Sequence, residues 1–279
     1  MIDHLMTVEN RRIPESLDRV FAEVDPVFRE VERLRTNDIQ AQRNAAQELA
    51  QLGTSNKLAT RRIMELVARQ NDPMVLGSLL SALRNADADL VAELARPLLQ
   101  SESPEVRRVA CEMLMLFGNS EDVPLLHALL RDSNRAVVRG ALSAIDALWE
   151  DSADNSSVLA TLRAMLLQTD AAMQTHVAAT LHRLGYSDGA DALRRLGLHS
   201  DYRVRILVAQ TVSGLGDQVF VRMLLHFLDD SNATVRSEAL KGLPRLVGED
   251  IGRVGLSSSS SVSQTQQQIE RWKAWGRGR

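Results

Sequence analysis

Seven segments of the chain superimpose when Ala45, Leu79, Ala110, Ala141, Val177, Val208 and Ala239 are placed in one column. Successive anchors lie 34, 31, 31, 36, 31 and 31 residues apart, a period in the range of stacked helical hairpins. A chain built this way is an elongated binding surface before it is anything else.

The columns around the anchor have physical reasons. Four residues after it stand Leu49, Leu83, Leu114, Ile145, Leu181, Val212 and Leu243, and four before it Ala41, Val75, Val106, Val137, Met173, Val204 and Val235. An apolar stripe at i, i+4 and i+8 is one buried helix face. Three residues earlier come Asp38, Asp72, Ser103, Asn134, Asp170, Asp201 and Asn232, all side chains that accept a hydrogen bond from a free N–H at a helix start. Eight residues after the anchor, Gly53, Gly118, Gly185 and Gly216 suit the left-handed residue that ends a helix.

A second apolar stretch precedes each capped helix, over 58–69, 90–99, 123–130, 158–167, 190–196 and 219–228. Two helices of about ten residues and a short turn fill such a repeat and leave no room for strands. A lone hairpin cannot bury its stripe, so the fold expected is an all-α solenoid of about seven stacked hairpins.

Ser103-Pro104-Glu105-Val106-Arg107-Arg108-Val109-Ala110 and Asp230-Ser231-Asn232-Ala233-Thr234-Val235-Arg236-Ser237-Glu238-Ala239 resemble the short bacterial HEAT repeat, of the kind also found in phycobilin lyases. Its second helix usually opens Asp-x-x-Val-Arg-x-x-Ala. The resemblance covers residues 20–250 or so and implies a fold rather than a function, because such repeats serve scaffolds, adaptors, lyases and regulatory subunits alike. The family's arginine is present as Arg107, Arg205 and Arg236, while Gln42, Leu76, Val138 and Gln174 fill that column elsewhere. Arg43 and Arg139 stand one place late. An Asp–Arg ladder along the inner edge is therefore expected to be interrupted.

The domain reading is an N-terminal segment and capping helix over 1–35, a repeat array over 36–255, a Ser/Gln-rich linker over 256–268 and a Trp/Arg-rich tail over 269–279. Pro26 interrupts the capping helix, and residues 151–157 form an inserted loop, a candidate joint between halves of the array. In the tail, Ile269, Trp272 and Trp275 recur every three residues, which puts both indoles on one side of a short helix. The tail either folds back to cap the last repeat, stays a disordered end, or docks elsewhere, in a partner groove or, weakly, on an anionic membrane surface.

No stretch approaches the apolar length of a membrane span, and Met1-Ile2-Asp3-His4-Leu5-Met6 lacks the pattern of a secretory signal. One cysteine, Cys111, on a helix expected to be buried, cannot form an intrachain disulfide; the expected location is the cytoplasm. The formal net charge is −3, of which the tail holds +3 and the remainder −6. That balance weighs against nucleic acid as partner, since a basic stripe is needed to displace counterions.

Catalytic motifs are thin. Gly185-Tyr186-Ser187-Asp188-Gly189 has nucleophile-elbow spacing, but that motif needs a strand-to-helix turn; Gly185 reads instead as a helix stop and Ser187 or Asp188 as the next cap. His199-Ser200-Asp201 holds triad residue types whose adjacent side chains diverge. No metal-binding spacing is found, and neither cofactor nor metal is expected. The function expected is a non-enzymatic protein-interaction scaffold or adaptor that uses the concave face of the array. Arg107, Arg108, Arg139, Arg205, Arg236, Trp272 and Trp275 are the candidate contacts. A second use is open to the arginines, as bridges to the cap residues of neighbouring repeats. The alternative function is an enzyme-associated module, either a lyase-like subunit or a nucleic-acid-binding helical repeat protein.

Overall fold

The computed structural model describes residues 16–151, 154–249, 251 and 262–278, which hold sixteen α-helices and no strand among them. The chain divides at the inserted loop into two compact units, Met1–Asp154 and Asn155–Arg279.

The first unit opens with α1 (Ser16–Ala22) and α2 (Pro26–Arg33), then runs through α3 (Ile39–Leu52), α4 (Lys57–Val67), α5 (Pro73–Ala82), α6 (Ala88–Ala95), α7 (Pro104–Phe117), α8 (Val123–Ala128) and α9 (Arg135–Ala147). The second holds α10 (Ser156–Gln168), α11 (Ala171–Arg183), α12 (Ser187–Leu196), α13 (Tyr202–Leu215), α14 (Val221–Phe227), α15 (Ala233–Val247) and α16 (Val262–Arg277). Even-numbered helices from α2 to α14 are the first helices of seven hairpins, and odd-numbered helices from α3 to α15 the second. Within each unit second helices pack on second helices, α3 on α5 and α13 on α15 for example, so each unit is an all-α solenoid segment.

All seven anchors and all seven residues four places after them are fully buried. The seven cap side chains each accept from backbone N–H groups two or three residues on, as Asp38 does from Gln40 and Ala41. These caps satisfy donors that the helix itself leaves open.

Gly53, Gly185 and Gly216 take positive φ as the glycine column requires. Gly118 does not: its φ is −83°. It is held by closeness instead, since a Cβ there would stand 2.6 Å from the Leu114 carbonyl oxygen and 2.7 Å from an Asp122 carboxylate oxygen. The cap of α12 also departs from expectation. Ser187 and Asp188 lie inside the helix, and Tyr186 occupies the cap position without a side-chain bond. Asp188 turns to Arg163 instead, 2.6 Å from its Nε.

Pro26 starts α2 rather than breaking it, with Asp25 as its cap. The helix α16 begins at Val262, inside the stretch expected to be linker; the linker's residues 256–261 lie outside the described part, as do residues 1–15 of the N-terminal segment and the centre of the inserted loop. Glutamines are compatible with a helix, and burial of Ile269 and Trp272, 3% and 1% exposed, supplies the packing that fixes it.

Candidate partner-binding surface

Two columns of the repeat decide what the second helices can offer. Three places before the anchor stands the arginine column, and its guanidinium points along the turn of its own hairpin. Arg107 Nη1 donates to the carbonyls of Ser101 (2.7 Å) and Glu102 (3.0 Å), while its Nε and Nη2 grip both oxygens of Asp132 at 2.7 and 2.9 Å. Arg205 repeats this with the carbonyls of His199 and Ser200 at 2.8 and 2.9 Å, and with Asp230 at 2.6 and 2.9 Å. Asp132 and Asp230 both stand nine places before the anchor of the following repeat, and each also accepts from the N–H of the cap residue two places on. The pairs are bidentate and largely shielded, with 15% and 7% side-chain exposure for Arg107 and Asp132. The neighbouring guanidinium holds each carboxyl below the usual carboxylate range, against a smaller opposing effect of burial.

Where arginine is replaced, glutamine keeps part of the device. Gln42 donates to the Thr36 carbonyl and accepts from Gln70, which stands in the column of Asp132 and Asp230. Gln174 donates to the Thr169 carbonyl. Arg43, one place late, reaches the cap residue Asp72 at 2.6 Å. First helices are joined in the same manner by Lys57–Asp87, Arg96–Asp122 and Arg163–Asp188, and α1 is tied down by Asp18, fully buried between Arg35 (2.6 Å) and Arg62 (2.9 Å).

Arg107 and Arg205 are thereby fastened between repeats, the second of the two uses open to them. The acid they hold is not the helix cap but a turn residue two places ahead of it, a column the sequence pattern conceals because Thr36, Gln70, Ser101, Gln168 and His199 fill it elsewhere. Arg236 keeps the two carbonyl contacts, with no carboxylate paired to it among the described residues. Arg108 is half-buried and pairs with Glu112 on its own helix. Arg139 is exposed and without an ion-pair partner among the described residues. Trp272 is 1% exposed in the core of the second unit, and Trp275 is partly buried at 5.5 Å from it, edge to face. Lys273 fixes the helix to Asp229 at 2.5 Å.

The sequence matches the model for HEAT repeats over residues 60–146 and 159–244, more than half of its length. The chain belongs to the HEAT-repeat family. No curated protein matches its sequence. Among solved structures, it is similar to the complex of CpcE and CpcF of phycocyanin lyase from Nostoc sp. PCC7120, at 13% identity over 95% of this chain and 96% of the other, with a TM-score of 0.51. Human deoxyhypusine hydroxylase is similar at 17% identity over 84% of this chain and 100% of the other (TM-score 0.38). A designed armadillo repeat protein in complex with the peptide (KR)4 is similar at 16% identity over 78% and 98% (TM-score 0.32). At these identities the likenesses concern the fold. The HEAT-repeat match and the likeness to the CpcE–CpcF complex agree on an all-α helical repeat fold.

The residues of the candidate catalytic motifs are engaged in the fold. Cys111 is fully buried against the next second helix, where a Cβ on Gly140 would stand 3.2 Å from its own Cβ, and burial pushes its thiol up to about 12. His199 is spent in its turn, its Nδ1 accepting from the Asp201 N–H. Gly189 of the elbow-like motif faces the backbone of α11, where a Cβ would meet the His182 nitrogen at 2.4 Å. No group of three metal-ligating side chains occurs among the described residues, and no described helix is long and apolar enough to cross a membrane.

Proposed function

We propose that this HEAT-repeat chain is a non-enzymatic adaptor that holds a partner protein on the second-helix surface of its first unit. The positions two before and two after each anchor make that surface: Arg43 and Gln47 on α3, Gly77 and Ser81 on α5, Arg108 and Glu112 on α7, Arg139 and Ser143 on α9. Gly77 has open space around it and Ser81 is exposed, so α5 is a low strip between the longer side chains of α3 and α7. The observation that carries the reading is Arg139, an exposed cation with no ion-pair partner among the described residues, one repeat along from Arg108, whose acid lies on its own helix. Neither guanidinium fastens one repeat to the next: Arg139 offers an open cation to a carboxylate on a partner, Arg108 can exchange Glu112 for one, and a protein segment with acidic or polar side chains is the chemistry they fit.

The test is co-purification from lysate of the source organism with the intact chain and with an R108E/R139E variant. A stoichiometric protein retained by the first and lost by the second, with both chains equally folded by circular dichroism, supports the adaptor reading. Equal retention by the two overturns the assignment of this surface, and retention of no protein by either overturns the adaptor reading.

A further inference from the structure

The arginine column leaves one fork open. In Arg107 and Arg205, Nη1 is anchored on two turn carbonyls while Nε and Nη2 hold an Asp from the next repeat. Arg236 is anchored identically, its Nη1 at 2.7 Å from the Asp230 carbonyl and 3.0 Å from that of Ser231. That anchoring fixes the guanidinium plane. Its Nε and Nη2 are therefore presented as in the other two arginines, with no carboxylate upon them among the described residues, and the side chain is only half-buried.

What lies beside Arg236 tells which element is missing. The helix α16 packs on α14, as α6 packs on α4 and α4 on α2, so it takes the place of the first helix of an eighth hairpin. Nothing among the described residues takes the place of the second. On α13, Ala209 and Ser213 are buried beneath the following second helix. Their counterparts on α15, one and five places after the anchor, are Leu240 and Pro244, and both are only half-buried. Half-buried Leu240 and Pro244, with an unfilled carboxylate fork at the N-terminal end of α15, match in position and chemistry the strip beside Arg205 that α15 itself covers on α13.

We propose that the outer face of α15 receives an amphipathic helix from a partner protein, and that this helix carries an Asp two residues ahead of its N-cap. The Asp closes the fork of Arg236 and the helix's apolar stripe covers Leu240 and Pro244. A second copy of this chain stacked end to end does not supply the acid, because Thr36 stands in the corresponding column of the first repeat. This surface is separate from the face of the first unit discussed above, and each can fail without the other.

The probe is a synthetic peptide with the sequence of residues 228–247, which presents Asp230 two places ahead of the Asn232 cap. It is dye-labelled and titrated with the full chain. The informative variant is Arg236→Gln, because Gln42 and Gln174 show that glutamine keeps the turn-carbonyl contact while losing the fork. Saturable binding is expected, weakened about tenfold or more by Asp230→Asn in the peptide or by Arg236→Gln in the protein, with no further loss when the two are combined. Arg205→Gln serves as the control for exchange of the peptide with the resident α15 and is expected to show no coupling. The proposal is overturned by absence of binding, by coupling to Arg205 instead, or by losses that simply add. Self-association of the intact chain that Arg236→Gln abolishes would give the site to a second copy and likewise overturn it.

Discussion

A carboxylate gripped by a guanidinium is a charge that acid can remove. Asp132 and Asp230 have their carboxyls held down chiefly by hydrogen bonds from Arg107 and Arg205. A folded-state value below the unfolded one, about 3.9, means that the pairs stabilise the fold fully above that pH. The contribution is lost as pH falls through the lowered value. A D132N/D230N chain should therefore melt at lower temperature at pH 7, with a loss of roughly 1.5–3 kcal/mol per pair. Its melting temperature should also fall less steeply than that of the parent between pH 5 and pH 3. Parallel curves in a calorimetric pH series would refute this. The thiol of Cys111, pushed up to about 12 by burial, should resist iodoacetamide at pH 8 in the native chain and react at the ordinary rate in urea. Equal rates would show that α7 opens readily. The arginine half of each pair was legible in the sequence because it rides on a helix in phase with the stripe. The acid half was not, because no periodicity points to its place ahead of the helix cap, and five of the seven equivalent places hold Thr, Gln, Ser or His.

Close approach governs the elements. Gly242 on α15 faces Ser213 on α13 so tightly that an added Cβ would stand 1.9 Å from the hydroxyl and 2.8 Å from a Leu224 methyl. Gly242→Ala should cost about 1–3 kcal/mol through overpacking, and Ser213→Ala in the same chain should recover part of it. Failure of the second change to recover any would place the strain elsewhere. Gly242 lies three residues after the anchor, outside the helix-stop column, so the sequence offered no reason for it; only the interhelical distance does. The tail divides in the same way. Spacing of Ile269, Trp272 and Trp275 announced one apolar side, and left open whether it faced this chain or a partner. The packing of Ile269 and Trp272 with Phe220, Leu224 and Leu243 puts that side inward. Trp272→Ala should destabilise the chain by about 3–5 kcal/mol, and Trp275→Ala, from a partly buried place, by less. Urea midpoints for the two variants decide it, and an equal or reversed order would remove α16 from the core.

In a repeat array each hairpin touches only its neighbours, so a defect should be felt locally and fade with distance along the chain. The number of repeats, their caps and the capped second helices were legible from the sequence because the same short pattern recurs seven times and each recurrence confirms the others. The termini broke the pattern, and it is there that tertiary contact had to be seen: Asp18 under Arg35 and Arg62 at one end, Trp272 under α14 at the other. This architecture makes Trp272→Ala a test of the whole molecule as well as of one helix. In native-state hydrogen exchange the variant should lose most protection in α14 and α15, less in α13 and α11, and none in α3 and α5, whose buried contacts lie within the first unit. A uniform loss across all helices would mean that the two units unfold as one cooperative body, and that a partner held on one end would be sensed at the other. A graded loss makes each end independent, which is the behaviour required if the first-unit face and the outer face of α15 engage different molecules, as proposed.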